Sequence, residues 1–255
     1  MSSPLSLAVL RARLAAVAAP AGRHGAVAFG DAAVDAHLPP GGLARGALHE
    51  VTADGIEAET GTLAAAFAAV LLARLLADPA EARPAIWIAR AIDLYPPGLA
   101  AYGIDPARLL LVQSGGDTLT LGAAEAALRD GAAAAVVAET GAFPRLAGRR
   151  LTLAAEARGS TGLVLRRWPH GRKQAVPGAD GTAAATRWRL ATAPSLKDGR
   201  ESGAPCWQVA LLHARGGRPG EWLMALTGGD DAPHALRVVA GLADAAGRAP
   251  RRRHA

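Results

Sequence analysis

Several classes of protein depend on residues that this sequence lacks. Cys206 is the one cysteine among 255 residues, which excludes an internal disulfide framework and a cysteine-rich zinc site. The seven histidines never occur in an H-x-x-x-H spacing, so no metal site is expected. No charge-free run approaches the ~18 apolar residues of a membrane span. We therefore expect a cytoplasmic protein without a membrane segment.

Lysine is almost absent, and arginine carries nearly all the positive charge. Lys173 and Lys197 are the two lysines, whereas Lys and Arg together number 28. Residues 1–140 carry 9 arginines against 14 acidic residues, and residues 141–255 carry 19 basic against 8 acidic residues. GC-rich coding accounts for the arginine content. The asymmetry between the halves is typical of a protein with an anionic partner such as nucleic acid. Both explanations stay open.

Short apolar segments alternate with helical patterns, which predicts right-handed β-α-β crossovers and a mostly parallel α/β sheet flanked by helices. The predicted strands are residues 47–52, 85–89, 108–113, 132–139 and 162–165, and the predicted helices are residues 4–19, 62–76, 96–102, 117–130 and 145–157. A basic loop follows at residues 166–186. Three further runs, at residues 187–192, 207–213 and 221–226, predict an antiparallel extension whose last two strands form a hairpin.

The segment 43–76 has the layout of a phosphate-binding strand, loop and helix. A working P-loop, G-x-x-x-x-G-K-[ST], uses backbone N–H groups, a lysine and a helix N-terminus to hold phosphates. The predicted loop, residues 53–61, has no lysine, and none occurs between Arg45 and Arg74. The degenerate loop is assigned to Asp54, Gly55, Glu57, Glu59, Thr60, Gly61 and Thr62. The alternative is an ordinary strand–helix turn whose acidic residues stabilise the helix dipole.

The order of the motifs resembles the RecA core. LPPGGLARGALHEV (38–51) resembles its entry, AIWIAR (85–90) and YGIDPARLLLVQ (102–113) its next strands, DTLTLGAAEAALRDGAAAAVVAET (117–140) its Walker B region, and WQVALLHARGGRPGEWLMAL (207–226) its late hairpin.

The resemblance implies a P-loop NTPase-type fold with a C-terminal antiparallel hairpin and a degenerate Walker A. The phosphate-loop lysine is replaced by Glu59, Thr60 or Gly61, and the catalytic glutamate falls on Ala91. The nucleotide-sensing glutamine falls near Arg166.

Some positions keep the character that the RecA resemblance implies. Glu139 and Thr140 occupy the Walker B position, where Glu139 is either a vestigial metal ligand or an ordinary residue at the end of a strand. Asp93 could face the same site or cap a helix. His213 and Arg215 match two basic residues of the late hairpin that reach a neighbour's nucleotide.

A small RecA-like chain with this pattern is similar to the ImuA family. TRWRLA (186–191) and HARGGRPGEW (213–222) also resemble that family. The resemblance implies an accessory factor of damage-induced mutagenesis, located in the cytoplasm at the nucleoid. Its implied partners are RecA, an ImuB-like Y-family polymerase homologue and an error-prone replicative-type polymerase. RecA protomers exchange an N-terminal segment, so the helix at residues 4–19 is a candidate docking element.

From the resemblance we expect a non-catalytic adaptor, a pseudo-ATPase without a cofactor, in which ATP and Mg²⁺ are not expected. The alternatives are a weak RecA/RadA-type ATPase with a divergent loop and a cell-division inhibitor on a RecA-like scaffold.

Sites that bind single-stranded DNA pair cations with stacking aromatics. Contact with single-stranded DNA is assigned to Arg166, Arg167, Trp168, Arg172, Lys173, Arg187, Trp188 and Arg189. The alternative for this region is a solvated linker. The expected division is an N-terminal helix and linker (1–37), a core (38–230) and a basic tail (231–255).

Overall fold

A computed structural model describes residues 23–39, 41–55, 57–167, 183–195, 204–229 and 232–241. Its strands are β1 (Ala26–Val27), β2 (Leu43–Ala44), β3 (Leu48–Ala53), β4 (Ala85–Ala89), β5 (Leu109–Gln113), β6 (Ala135–Thr140), β7 (Thr161–Arg166), β8 (Thr186–Ala193), β9 (Cys206–Ala214), β10 (Gly220–Gly229) and β11 (Ala232–Gly241). Its helices are α1 (Ala32–Asp35), α2 (Glu57–Leu76), α3 (Pro96–Ala100), α4 (Asp117–Asp130) and α5 (Arg145–Arg158), with a 3₁₀ turn at Pro106–Arg108.

Nine of these strands form one sheet in the order β11-β10-β9-β8-β3-β7-β6-β4-β5. Neighbouring strands from β8 to β5 are parallel, and those from β8 to β11 are antiparallel. The predicted α/β class, the mostly parallel sheet and the C-terminal hairpin of β9 and β10 are confirmed. The carboxyl ends of the parallel strands therefore meet at one edge of the sheet.

Helices cover both faces of the parallel strands. Successive side chains of a strand point to opposite faces, so Trp87 belongs to the core beneath α2 and Ile88 belongs to the core beneath α4 and α5. In the first core, Trp188 stacks on Phe29 with ring centroids 5.8 Å apart and lies 5.4 Å from the ring of Phe67 on α2. Phe29 thereby anchors the segment before β2 to the sheet.

A chain of hydrogen bonds joins the central strands β3 and β8. Trp188 Nε1 donates to Thr186 Oγ1 at 2.8 Å, and His49 Nδ1 lies 2.8 Å from that hydroxyl. His49 Nε2 lies 2.9 Å from the carbonyl oxygen of Ala44. A neutral imidazole satisfies every atom, donating from Nε2 and accepting at Nδ1. Burial lowers the pKa of His49 from 6.5 to about 4, so the ring is neutral at pH 7.

We predict that the free energy of unfolding falls as the pH drops from about 6.5 to about 4. The unfolded chain protonates His49 at the higher pH and the folded chain at the lower one, so protons favour unfolding only within this window. The shift amounts to about 3 kcal/mol. Urea unfolding followed by circular dichroism should show a smaller pH dependence in His49→Gln. An unchanged dependence in that variant would contradict the prediction.

The start of α2 differs from the prediction. The predicted helix begins at residue 62, but α2 begins at Glu57, so most of the predicted loop 53–61 is helical. The glycine and acidic residues of this segment are typical of a loop, so the sequence predicts one here. Acidic residues in the first turn nevertheless stabilise a helix through its dipole, and the long apolar face that follows holds the helix on the sheet.

Structured segments also extend beyond the predicted core boundaries. β1 and α1 precede residue 38, and Val34 of α1 is fully buried. At the other end, β11 pairs with β10 within the segment assigned to the basic tail. β1 and α1 have only two and four residues, too few to show a periodicity in the sequence. The predicted helix at residues 4–19 and residues 242–255 lie outside the described residues.

Within the part of the chain that the structure describes, no helix combines the length and apolar character needed to cross a bilayer.

Candidate functional site

The carboxyl edge of the parallel strands brings together most of the predicted site residues. β6 pairs with β7 so that Glu139 is level with Leu165 and Thr140 with Arg166. The turn after β3 begins at Asp54. In open α/β sheets this edge is where ligands bind, so its side chains decide what the site can hold.

The turn between β3 and α2 is short. Only Asp54, Gly55 and residue 56 separate Ala53 from Glu57. The backbone N–H of Asp54 donates to the carbonyl oxygen of Leu190 at 2.7 Å, and Asp54 Oδ2 lies 3.3 Å from Arg189 Nε. These bonds tie the turn to β8.

Gly55 has a φ of 124°, and a Cβ there would lie 2.8 Å from Thr60 Cγ2. A P-loop has four residues between its two glycines. The turn between β3 and α2 has only three residues in all, which is too few to form such a loop. Gly61 is already in the second turn of α2, and Glu57 and Glu59 are in the first.

Glu139 is buried at the end of β6 with both carboxylate oxygens engaged. Trp87 Nε1 donates to Oε1 at 2.6 Å, and Arg167 Nη1 donates to Oε2 at 2.9 Å. Glu139 is only 8% exposed. Burial raises the pKa of Glu139, against the opposing effects of Arg167 and Trp87. The predicted Walker B position is thus occupied by hydrogen-bond donors from the chain itself.

Arg167 also binds Asp93, which follows β4. Arg167 Nη1 donates to Asp93 Oδ1 at 3.0 Å, and Nη2 donates to Oδ2 at 2.7 Å. The hydrogen bonds from Arg167 lower the pKa of Asp93. A paired geometry of this kind is the stronger form of an arginine–carboxylate contact. One guanidinium therefore joins the ends of β7 and β6 to the segment after β4.

Arg166 makes a separate ion pair on the opposite face of the sheet. Arg166 Nη1 donates to Glu50 Oε1 at 3.1 Å, and Arg166 Nε and Nη2 donate to the carbonyl oxygen of Gly141 at 3.1 and 2.8 Å. Its guanidinium carbon lies 5.9 Å from the centre of the Phe143 ring, within the range of a cation–π contact. Glu50 is 1% exposed.

Comparison with curated proteins identifies relatives of the chain. It is 43% identical over 222 residues to Protein ImuA of Caulobacter vibrioides strain NA1000/CB15N. The identity to Protein ImuA of C. vibrioides strain ATCC 19089/CIP 103742/CB 15 is the same. Each alignment covers 86% of this chain and 90% of the relative. The chain belongs to the ImuA family. The resemblance drawn from its sequence motifs is confirmed. No family model matches the chain.

The structure of this ImuA-family chain corrects one predicted DNA contact. Trp188 is 0% exposed beneath α2, so it is not available to stack on a base. The alternation in β8 places Arg187 and Arg189 on the other face, where both are partly exposed. Arg166 and Arg167 have side chains only 14% exposed and bound to carboxylates. Trp168, Arg172 and Lys173 lie outside the described residues.

The predicted basic pair of the late hairpin lies beside β8. His213 is directly opposite Arg187 in the β8–β9 ladder. Arg215 Nη2 donates to the carbonyl oxygen of Ala183 at 2.7 Å. Burial is the main cause that lowers the pKa of His213, and the positive charges of Arg187 and Arg215 lower it further. The positive charge of this group therefore resides on Arg187 and Arg215, and Arg215 Nη1 also lies 3.4 Å from Glu156.

Two functional features were not predicted from the ImuA-family sequence. Trp87 was assigned only to a buried strand, yet its indole N–H holds Glu139. Asp93 was considered for the same site, but its pairing with Arg167 was not. Two consecutive arginines at a strand end were the available signal, since they must point to opposite faces. Across the described ranges, no group of three or more His, Cys, Asp and Glu residues is arranged to hold a metal.

We predict that Arg167→Gln lowers the free energy of unfolding by about 2–3 kcal/mol, because it leaves Glu139 buried without its cation. Arg167→Gln combined with Glu139→Gln should recover part of the loss, since no buried charge is then left without a partner and the carboxylate of Asp93 is more than half exposed. The control Arg189→Gln breaks a more exposed pair with Asp54 and should cost less than about 1 kcal/mol. Urea unfolding measures the wild type, these three variants and Glu139→Gln alone, which completes the double-mutant cycle. Strictly additive effects of the two changes would argue against the coupling.

Proposed function

We propose that this ImuA-family chain is a non-catalytic adaptor in damage-induced mutagenesis and translesion synthesis. The scaffold would be a RecA-like core whose nucleotide site is degenerate. Membership of the ImuA family supports a role in the mutagenesis cassette of ImuA and ImuB. The occupied carboxyl edge supports the absence of nucleotide chemistry.

The arrangement around β3 supports a P-loop origin. β3 is a central parallel strand between β7 and β8, and it leads directly into α2, the longest of the described helices. P-loop proteins hold phosphates where such a strand meets such a helix. The topology therefore supplies the position of a nucleotide site, although the turn lacks its length and its lysine.

Arg167 is the observation that carries the proposal. Its guanidinium lies between Glu139 and Asp93, the acidic side chains at the Walker B edge. A magnesium ion held there would have to displace an arginine bound through three hydrogen bonds. Phosphoryl transfer relies on positioning and on cationic stabilisation of the phosphates. At this edge Arg166, Arg167 and Arg189 are already committed to carboxylates of the chain.

Charge in the turn also opposes nucleotide binding. Asp54, Glu57 and Glu59 lie at or next to the turn, and no lysine occurs there. A carboxylate about 4 Å from a phosphate is repelled by about 1 kcal/mol even at the dielectric constant of water. Several such pairs would outweigh the attraction of one helix N-terminus, which is typically below about 1 kcal/mol at an exposed site.

We predict that the purified chain shows no saturable heat on titration with MgATP and no hydrolysis above buffer, with or without single-stranded DNA. RecA in the same assays is the positive control. Micromolar binding with magnesium-dependent turnover would instead support the weak RecA/RadA-type ATPase. Turnover that disappears in Glu139→Gln would assign that activity to this site and not to a contaminant.

The adaptor role requires protein partners. We propose RecA, the ImuB-like polymerase homologue and, through them, the error-prone replicative-type polymerase. The positive charges of Arg187 and Arg215, which lie beside His213, support an additional contact with the backbone of single-stranded DNA. Arg187 Nε is buried without a hydrogen-bond acceptor among the described residues. A phosphate oxygen would satisfy it and reduce the repulsion between Arg187 and Arg215.

We predict a stable complex with RecA or with the ImuB-like homologue when purified proteins are mixed and separated by size-exclusion chromatography. Deleting the gene should abolish damage-induced mutagenesis. Glu57→Ala/Glu59→Ala should restore it, because an adaptor does not need a working loop. No complex with either partner, together with unchanged mutation frequency, would contradict the proposal. Filamentous cells on overexpression would then favour the cell-division inhibitor.

A further inference from the structure

The outward side of α5 exposes leucines among arginines. Leu146 and Leu153 are 69% and 67% exposed, and they are seven residues apart, which places them two turns apart on one side of the helix. Arg149 and Arg150 lie between them and are also exposed. The opposite side of α5 packs Leu151, with its neighbours, against the sheet. We call Arg145, Leu146, Arg149, Arg150 and Leu153 the α5 outer face.

Exposed apolar side chains are concentrated at this place. The large hydrophobic residues exposed in the described chain are Tyr95, Leu110, Leu119, Leu146, Leu153 and Val239. Leu119 lies near the start of α4, the helix that packs beside α5. Three of the six therefore belong to one pair of helices. Clusters of this kind, rimmed by charge, are typical of protein interaction surfaces.

The two helices form a fixed platform. The carboxylate of Asp117, the first residue of α4, accepts hydrogen bonds from the backbone N–H groups of Gly141 and Ala142 at 3.3 and 2.7 Å. These groups precede α5, so both helices begin at the same edge of the sheet. Arg150 of α5 and Arg129 of α4 both bind the buried carboxylate of Glu125. The exposed leucines thus keep fixed relative positions.

The charge around the leucines is positive and largely uncompensated. Arg145, Arg149 and Arg158 have no ion pair within the described part of the chain. Glu156, the acidic residue of α5, binds Arg215 at 3.4 Å. A complementary surface must therefore supply both acidic groups and apolar side chains.

We propose that the α5 outer face docks an acidic segment of a protein partner, whose apolar side chains cover Leu146 and Leu153. This rests on the proposed adaptor function and assigns a surface to it. Nucleic acid would satisfy the arginines, but its phosphate backbone would leave the leucines in water. A protein segment satisfies both, as amphipathic helices do in apolar grooves.

The experiment measures the affinity of the full chain for purified RecA and for the purified ImuB-like homologue by biolayer interferometry. Leu146→Ser/Leu153→Ser removes the apolar contact, and Arg145→Glu/Arg149→Glu reverses the charge. Arg145 opens α5, where an acidic residue suits the helix dipole, so the second variant should remain folded. Val239→Ser is the matched control, because it replaces an exposed aliphatic residue on β11 at the far edge of the sheet.

We expect each double variant to lose at least about tenfold in affinity for one partner, equivalent to about 1.4 kcal/mol. Val239→Ser should bind like the wild type, and thermal unfolding should verify that all variants are folded. Wild-type affinity for both partners in both double variants would overturn the docking surface while leaving the adaptor function standing.

Other results would also overturn the docking surface. If the arginine variant weakened only binding to a fluorescent single-stranded oligonucleotide, the surface would bind nucleic acid. If the leucine variant changed only the oligomeric state of the chain, the surface would join two copies. If the wild type bound neither partner, the adaptor function itself would fail, and the docking surface with it.

Discussion

The carboxyl edge of this sheet depends on one guanidinium. Arg167 lies between Glu139 and Asp93, and it supplies from within the chain the positive charge that these carboxylates need. Without a cation, Glu139 would be a buried carboxylate with only the indole N–H of Trp87 to stabilise it, which is costly in a medium of low dielectric constant. Arg167 therefore joins three strand ends, and it makes an external cation unnecessary at the same place. Stability follows from this contact, and under the proposed function the loss of a nucleotide site follows from it as well.

The neighbouring Arg166 binds a carboxylate on the other face of the sheet, as Arg167 does on the first face. It binds Glu50 and the carbonyl oxygen of Gly141, so the end of β7 is fixed on both sides. The basic character of this region, taken from the sequence alone, suggested a mobile loop that contacts DNA. In the folded chain the first two arginines of that loop are structural. The cation left for an anionic partner is chiefly Arg187, whose Nε has no acceptor among the described residues, whereas the neighbouring Arg215 also lies 3.4 Å from Glu156.

The sequence predicted the parallel core well because buried parallel strands are continuously apolar, and residues 85–89 and 117–130 match β4 and α4 in both bounds. It failed where local composition and tertiary packing disagree. Glu57 begins a helix because its dipole and the apolar face after it outweigh the loop-like composition. Trp188 is wrongly predicted to contact DNA. The alternation of side chains along a strand shows that the strand has two faces, but it does not show which face is covered by a helix. The pairing of Arg167 with Asp93 joins residues 74 positions apart, which no local pattern reveals.

The proposed function has a mechanical consequence. A RecA-type motor changes its surfaces when a nucleotide and its metal enter or leave, because the charge at the strand ends changes with them. Here that charge is covalently part of the chain, so the edge has one state. An adaptor of this kind cannot release its partners by hydrolysis. Its complexes must therefore be governed by the concentrations of the components and by competition for shared surfaces. The fixed leucines and arginines of α5 fit such a role, because a preorganised surface loses little entropy on binding.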